Sequence, residues 1–326
     1  MRGISIIITA YNSSSFANEL LDSLEHAICF LKDVSVEVLI GVDGCEETLK
    51  KYILVQKSKQ YSWLRIYWNP ENKGTYIMRN SLATIAQHAH LLFIDSDDMI
   101  SERLIQSIHQ RLNTNPTLER IQYTGSQFSA ISEIQRIKRM TFPKKKIYDG
   151  TFMVNKKVFM ELGGFKPWRC GADTDFSRRF TYRSKNTAVL RDHVYYYRRI
   201  VSTSLVHSKE TGLNSRLRRQ AVRNLFNPKK ETNPVVEFTT TELIPSDKAV
   251  FSNPKKSSSA YTTPKSIIKG PPPPKKTDEN GTAREFPTAS SQKVPSANSN
   301  ASAVPVSATS VSATSVSATS VVTRTP

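Results

Sequence analysis

Residues 4 to 9 read ISIIIT, and only Ser5 and Thr9 interrupt the apolar character. A strand with one wet face alternates apolar and polar residues. A run without that alternation fits a strand covered on both faces, the usual condition of a parallel sheet. The theme recurs in VEVLIGVD at 36 to 43, LRIYWN at 64 to 69 and LLFID at 91 to 95. After NSSS, residues Phe16, Leu20, Leu21, Leu24, Ile28 and Leu31 are spaced for one face of a helix, with serines available as caps. A second helix is expected from about Thr75 to His88. This β-α-β-α-β order predicts an α/β fold, a Rossmann-type sandwich with a mainly parallel central sheet. Ligands of such sheets bind at the carboxyl ends of the strands. Those ends carry TAYN at 9 to 12, VDGC at 42 to 45 and DSDD at 95 to 98.

The last of these places Asp95, Asp97 and Asp98 within four positions of a buried strand. Like charges at one rim repel unless a cation or donor groups compensate them. With Ser96 they offer hard oxygen ligands suited to Mg2+ or Mn2+, ions that keep open positions for phosphate oxygens. The alternative is that one acid caps the helix near Glu102 and the others face water. Neither GxxxxGK[ST] nor a GxGxxG after a strand occurs, so a P-loop or dinucleotide fingerprint is missing.

The character changes near residue 227. Residues 228 to 326 contain PKKETNP, KGPPPPKK and three successive copies of VSATS at 306 to 320. Ser, Thr, Pro and Ala supply too little apolar area to offset ordering entropy, so a mostly disordered tail is expected there, following a folded domain over 1 to 227. Of the formal net charge of +18, +13 falls on residues 1 to 227, where 34 Lys and Arg face 21 Asp and Glu. Such a field attracts phosphate-bearing ligands, an anionic membrane surface or nucleic acid. Cys29, Cys45 and Cys170 are too scattered for a zinc module or disulfide framework. No apolar run approaches the roughly 20 residues of a membrane span, so a soluble, cytoplasmic protein is expected, with peripheral membrane contact left open.

SIIITAYNSSSFANELLDSL, VEVLIGVDGCEETL, ENKGTYIMRNSL, LLFIDSDDM and GTFMVNKKVFMELGGF followed by ADTDFSRR occur in that order. Together they resemble the family 2 glycosyltransferases of GT-A fold, over roughly residues 3 to 207. The resemblance implies Thr9, Ala10 and Tyr11 beside the nucleotide and Asp43 hydrogen bonded to its base. The alternative for Asp43 is an Asp-Gly turn ending a strand. It further implies Arg79 holding the nucleotide, rather than a helix-surface ion pair. Asp95 and Ser96 would lie toward the ribose, and Asp95, Asp97 or Asp98 would hold Mn2+ or Mg2+ on the donor diphosphate, with His207 as a further ligand. The sequence does not choose between Asp97 and Asp98. Asp173 matches the general base and Asp175 is the fallback. Many relatives carry Glu at the position of Ala172, which bears on acceptor recognition. Gly163 and Gly164 fit either close backbone approach or a helix C-cap, and Trp168 either sugar stacking or loop packing.

The implied function is metal-dependent, inverting transfer of a single sugar from a nucleoside diphosphate sugar, UDP favoured, to a hydroxyl of a glycan, protein or lipid. A Gln-x-x-Arg-Trp motif, usual in processive synthases, is missing. Two other classes stay in view. A sugar-phosphate nucleotidyltransferase would carry a Gly-rich basic loop after the first strand, which TAYNSSS lacks. A nucleic-acid-binding module would exploit KRMTFPKKK at 138 to 146.

Overall fold

The computed structural model describes residues 3–29, 31, 34–141, 143–200, 209, 212, 215–225, 237–249 and 251. The proline run, the VSATS copies and His207 lie outside the described residues.

The expected opening strands form as β1 (Ile4–Ala10), β2 (Val36–Asp43), β3 (Leu64–Asn69) and β4 (His90–Asp95). They pair in parallel in the spatial order β3-β2-β1-β4. Burial explains the missing alternation of ISIIIT. Ile4, Ile6 and Ile8 enter one core with Val38 and Ile40, while Ile7 enters a second core on the opposite face with Leu39. The first core is closed by α1 (Ala17–Ile28), α2 (Glu46–Lys59) and α4 (Leu104–Thr114), the second by α3 (Thr75–Ile85). The helix after NSSS is entered through a 3-10 turn over Ser14–Phe16, and no serine side chain caps it. The Ser14 hydroxyl instead donates to Glu47 at 2.7 Å. α3 ends at Ile85, three residues short of the expected His88.

Beyond β4 the sheet turns mixed. Its remaining elements are β5 (Met99–Ile100), β6 (Arg120–Phe128), α5 (Ile131–Arg139), β7 (Lys146–Ile147), β8 (Met153–Asn155), α6 (Lys156–Glu161), α7 (Ala172–Arg183), β9 (Thr187–Leu190), β10 (Tyr196–Arg199), α8 (Arg216–Leu225) and β11 (Ile244–Pro245). β8 lies antiparallel between β4 and β6, and β10 runs parallel to the far half of β6. Chain order reverses direction at β1, flanked by β2 and β4, which makes the carboxyl ends of β1 and β4 the switch point of the sheet.

Under α6 and α7 sits an aromatic core of Phe93, Phe152, Phe159, Phe165, Phe176 and Phe180. Phe165 is fully buried and lies within 5.4 Å, ring centre to ring centre, of Phe93, Phe159, Phe176 and Tyr76. Phe165→Ala is expected to lower unfolding free energy by about 3–5 kcal/mol, read by denaturant titration at unchanged m-value.

Residues 237–249 correct the boundary expected at 227. Ile244 and Pro245 pair antiparallel with Trp68 and Tyr67 of β3, and Phe238 packs into the aromatic core. The reason is that FTTTELIP, though set among polar stretches, carries Phe238, Leu243 and Ile244, enough apolar surface to cover an otherwise open edge strand.

Candidate active site

Backbone register brings the first and third predicted strand ends together. Thr9 of β1 is the direct partner of Asp95 of β4, and Ala10 is the partner of Val42. Thr9 and Ala10 are buried, Tyr11 is half-buried, and Asn12 is exposed in a left-handed conformation with φ 48°. The loop after β1 is tied to the loop after β2. The Ser13 amide donates to Thr48 Oγ1 at 3.1 Å, and the Cys45 thiol donates to Asn12 Oδ1 at 3.1 Å. The cysteine stands as a free thiol in a polar seam.

Asp43 takes a different part from the one expected. It is 3% exposed, and its two carboxylate oxygens accept the backbone amides of Lys73 (2.8 Å) and Gly74 (2.7 Å). Burial pushes this carboxyl up, while the two amides pull it the other way. What Asp43 holds directly is the loop between β3 and α3, which Arg169 also grips through Asn72 Oδ1 at 2.8 Å.

The three acids after β4 divide their work. Asp95 accepts Arg79 Nη2 at 2.6 Å and keeps 39% of its side chain exposed. Asp98 is 2% exposed and turned inward, accepting the Tyr196 hydroxyl on one oxygen and the Arg199 amide, at 2.6 Å, on the other. It is therefore removed as a candidate metal ligand, because both oxygens are spent inside the protein. Burial drives its carboxyl well above the usual range, with Asp97 and Asp95 adding to the shift. Asp97 is half-buried, and no described side chain donates to its carboxylate. Burial and then the charge of Asp95 push it up to about 6. Arg199 sets the turn by donating Nε to the Asp97 carbonyl at 2.8 Å, its guanidinium lying 4.8 Å from the Phe16 ring and 4.6 Å from Phe128. Ser96 is buried beneath the turn.

Of the metal set expected from sequence, His207 lies outside the described residues, and the described members do not form a cage by themselves. Among the described residues no group of three or more His, Cys, Asp and Glu is placed to hold an ion. Asp95 and Asp97 do fit the other mode, in which one or two carboxylates hold a hard cation and substrate phosphates complete its shell. An acid pushed up by burial and a like charge, as Asp97 is, is the kind of group a cation returns to its ionised form.

Arg79 is buried, at 1% exposure, and so does not lie open to a nucleotide as the resemblance implied. It is neither a surface ion pair nor a free ligand. Besides Asp95, it donates Nη1 to the Gly150 carbonyl at 2.9 Å, and its guanidinium packs 5.5 Å from the Phe93 ring. Gly150 in turn borders the acceptor-side acid. A Cβ there would lie 3.5 Å from Asp173 Oδ2. Asp173 stands in the first turn of α7, where helix amides favour negative charge, and accepts the Tyr76 hydroxyl at 3.0 Å. One arginine therefore holds Asp95 directly and the carbonyl of the residue that borders Asp173.

A family model described as glycosyl transferase family 2 matches residues 5–176, more than half of the chain. The chain belongs to glycosyl transferase family 2. A poly(ribitol-phosphate) beta-glucosyltransferase of Bacillus spizizenii is 35% identical over 105 residues, 32% of this chain and 16% of that protein. The crystal structure of S. aureus TarS 1-349 in complex with UDP-GlcNAc superposes with TM-score 0.51 at 21% identity, covering 63% of this chain and 60% of that one. The complex of the same fragment with UDP gives TM-score 0.50 at 20% identity, covering 69% of each chain. The GT-A-like sandwich expected from sequence is thus the fold of this family 2 chain.

One further expectation for the family 2 acceptor side is corrected by packing. Asp175 cannot substitute for Asp173, since it is 1% exposed and locked to Arg179 (2.7 Å) and Lys166 (2.8 Å). Ala172, where many relatives carry Glu, is fully buried in the aromatic core. Gly163 and Gly164 serve both expected purposes. They take φ 75° and 61° and donate to Met160 and Phe159 carbonyls as the C-cap of α6, and Gly164 also lies against Asn80 and Phe238. Trp168 is half-buried with Lys166 Nζ 4.8 Å from its ring centre. Sequence reasoning passed over Tyr76, Gly150, Asn72, Arg169 and Arg199. The first lay within the quoted block GTYIMRN, and its aromatic hydroxyl one turn from Arg79 was the available signal. Among the described residues, no helix is long and apolar enough to cross a membrane.

Proposed function

We propose that this chain transfers one sugar from a nucleoside diphosphate sugar to an acceptor hydroxyl with inversion at the anomeric carbon. The observation that carries the reading is the buried Arg79, which donates to the half-buried Asp95 of the switch point and to the carbonyl of Gly150, the residue that borders Asp173 on the rim of α7. Thr9, Ala10 and Tyr11, with the loop that Asp43 holds, are the donor side. Asp95 and Asp97 would hold Mn2+ or Mg2+, which when bound supplies Lewis-acid stabilisation of the charge on the departing diphosphate. Asp173 takes the proton of the acceptor hydroxyl as that oxygen attacks the anomeric carbon and the bond to the diphosphate breaks. Tyr76 keeps Asp173 oriented, and burial raises the tyrosine's own pKa so that it stays a donor. Tyr76→Phe is expected to lower kcat about tenfold with little change in donor affinity, because one hydrogen bond to a charged group is lost.

UDP is the nucleotide to test first, since TarS, which shares the fold, binds UDP-GlcNAc and UDP. The Bacillus relative acts on a phosphate polymer, and a phosphate-bearing acceptor would suit the +13 of residues 1 to 227. The test is a thermal-shift series of UDP, GDP and their sugars with Mn2+. Stabilisation by one nucleotide class supports the reading, and no stabilisation by any at millimolar concentration refutes it.

A further inference from the structure

Residues 237–249 do more than cover the sheet edge. Asn69, at the end of β3, donates its side-chain amide to Thr241 Oγ1 (2.7 Å) and to the Glu242 carbonyl (3.0 Å). The same residue accepts the Glu71 amide on Oδ1 (2.9 Å), and its backbone carbonyl accepts the Gly44 amide (2.8 Å). It is therefore the near anchor of the loop whose far end, Lys73 and Gly74, is held by Asp43. The segment is tied to α3 as well. Asn80, one residue after Arg79, donates to the Thr239 carbonyl (2.9 Å), and the Thr241 amide donates to Ser81 Oγ (2.7 Å).

Phe238 seats the other end. Its ring stands at 90° to Phe159 with centres 6.2 Å apart, and a Cβ on Gly164 would come within 2.5 Å of it. Only a glycine at 164 leaves room for that ring. Separately, Lys50 Nζ of α2 lies 5.2 Å from the Phe251 ring.

We infer that residues 238–245 are a positioning strap of the donor site, with Thr241 setting the loop of residues 69–74 through Asn69. This rests on the donor reading above and extends the catalytic unit past residue 227 to at least residue 245. The strap does not touch the reacting atoms. It fixes the rim loop before a nucleotide arrives, and anything that lifts it weakens donor binding. By reciprocity, nucleotide binding holds the strap down.

Thr241→Val in the full chain removes the shorter of the two acceptors of the Asn69 amide, leaving the Glu242 carbonyl, while keeping the shape, and Thr241→Ser restores it. In the ligand-free protein, amide exchange at Glu71, Lys73 and Gly74 is expected to quicken about fivefold in Thr241→Val and to stay at the original rate in Thr241→Ser, as loss of one buried hydrogen bond implies. KM for the donor should rise by a similar factor with kcat shifted less than twofold. Unchanged exchange at those three amides in Thr241→Val overturns the inference. So does uniform acceleration over the whole chain, which would make the segment a stability element only. Should the original protein bind no nucleoside diphosphate, the donor reading falls, while the ligand-free exchange still decides whether the strap holds the loop.

Discussion

Asp173→Asn is expected to lower kcat by about a thousandfold while the protein still binds donor nucleotide. The amide keeps an oxygen to accept the Tyr76 hydroxyl, so the side chain stays where the carboxylate was. What it loses is basicity, and a positioned general base contributes roughly 10²–10⁴ in rate. Asp175→Asn is the control, because it changes a carboxylate two residues away that is tied to Lys166 and Arg179. Removing one member of that buried set leaves two cations short of a partner and should cost about 3–5 kcal/mol of stability. Single-turnover transfer rates, nucleotide calorimetry and denaturant midpoints separate the two outcomes. Asp173→Asn retaining more than a tenth of the original kcat would refute its assignment as the base.

The parts of the fold that were legible in the sequence are those where local pattern and tertiary role agree. ISIIIT and VEVLIGVD have no polar face to offer water, so their burial on both sides followed from composition alone. The same logic placed three strand ends at one rim. It could not assign roles at that rim, because roles there depend on which neighbour each side chain meets. Asp97 and Asp98 are adjacent and chemically identical, yet Tyr196 and the Arg199 amide, about a hundred residues away, capture only the second. Asp43 likewise looked open at a strand end, and it is the loop of residues 73 and 74 that closes over it. The strap was hidden for a related reason. Its apolar residues are few and spaced among threonines, so their value appears only once β3 presents an edge and Gly164 a cradle.

That division between Asp97 and Asp98 makes a sharp second expectation. Asp97→Ala should abolish divalent-ion dependence and reduce transfer by at least about a thousandfold, since metal stabilisation of leaving-group charge is worth several kcal/mol. The fold should survive, because no described side chain depends on the Asp97 carboxylate, and the Arg199 bond is made to its backbone carbonyl. Removing an acid that burial and Asp95 hold at about 6 also relieves an unfavourable charge near neutral pH. The variant's melting temperature should therefore equal or exceed the original. Asp98→Ala should behave in the opposite way. It strands the Tyr196 hydroxyl and the Arg199 amide in the interior, and each buried donor left without an acceptor costs about 1–3 kcal/mol. Mn2+ titration followed by electron paramagnetic resonance, with melting temperature measured on the same samples, distinguishes the two. If Asp97→Ala still binds Mn2+ as the original does, or transfers sugar at full rate with the metal chelated, the open acid at the switch point is not where the cation sits.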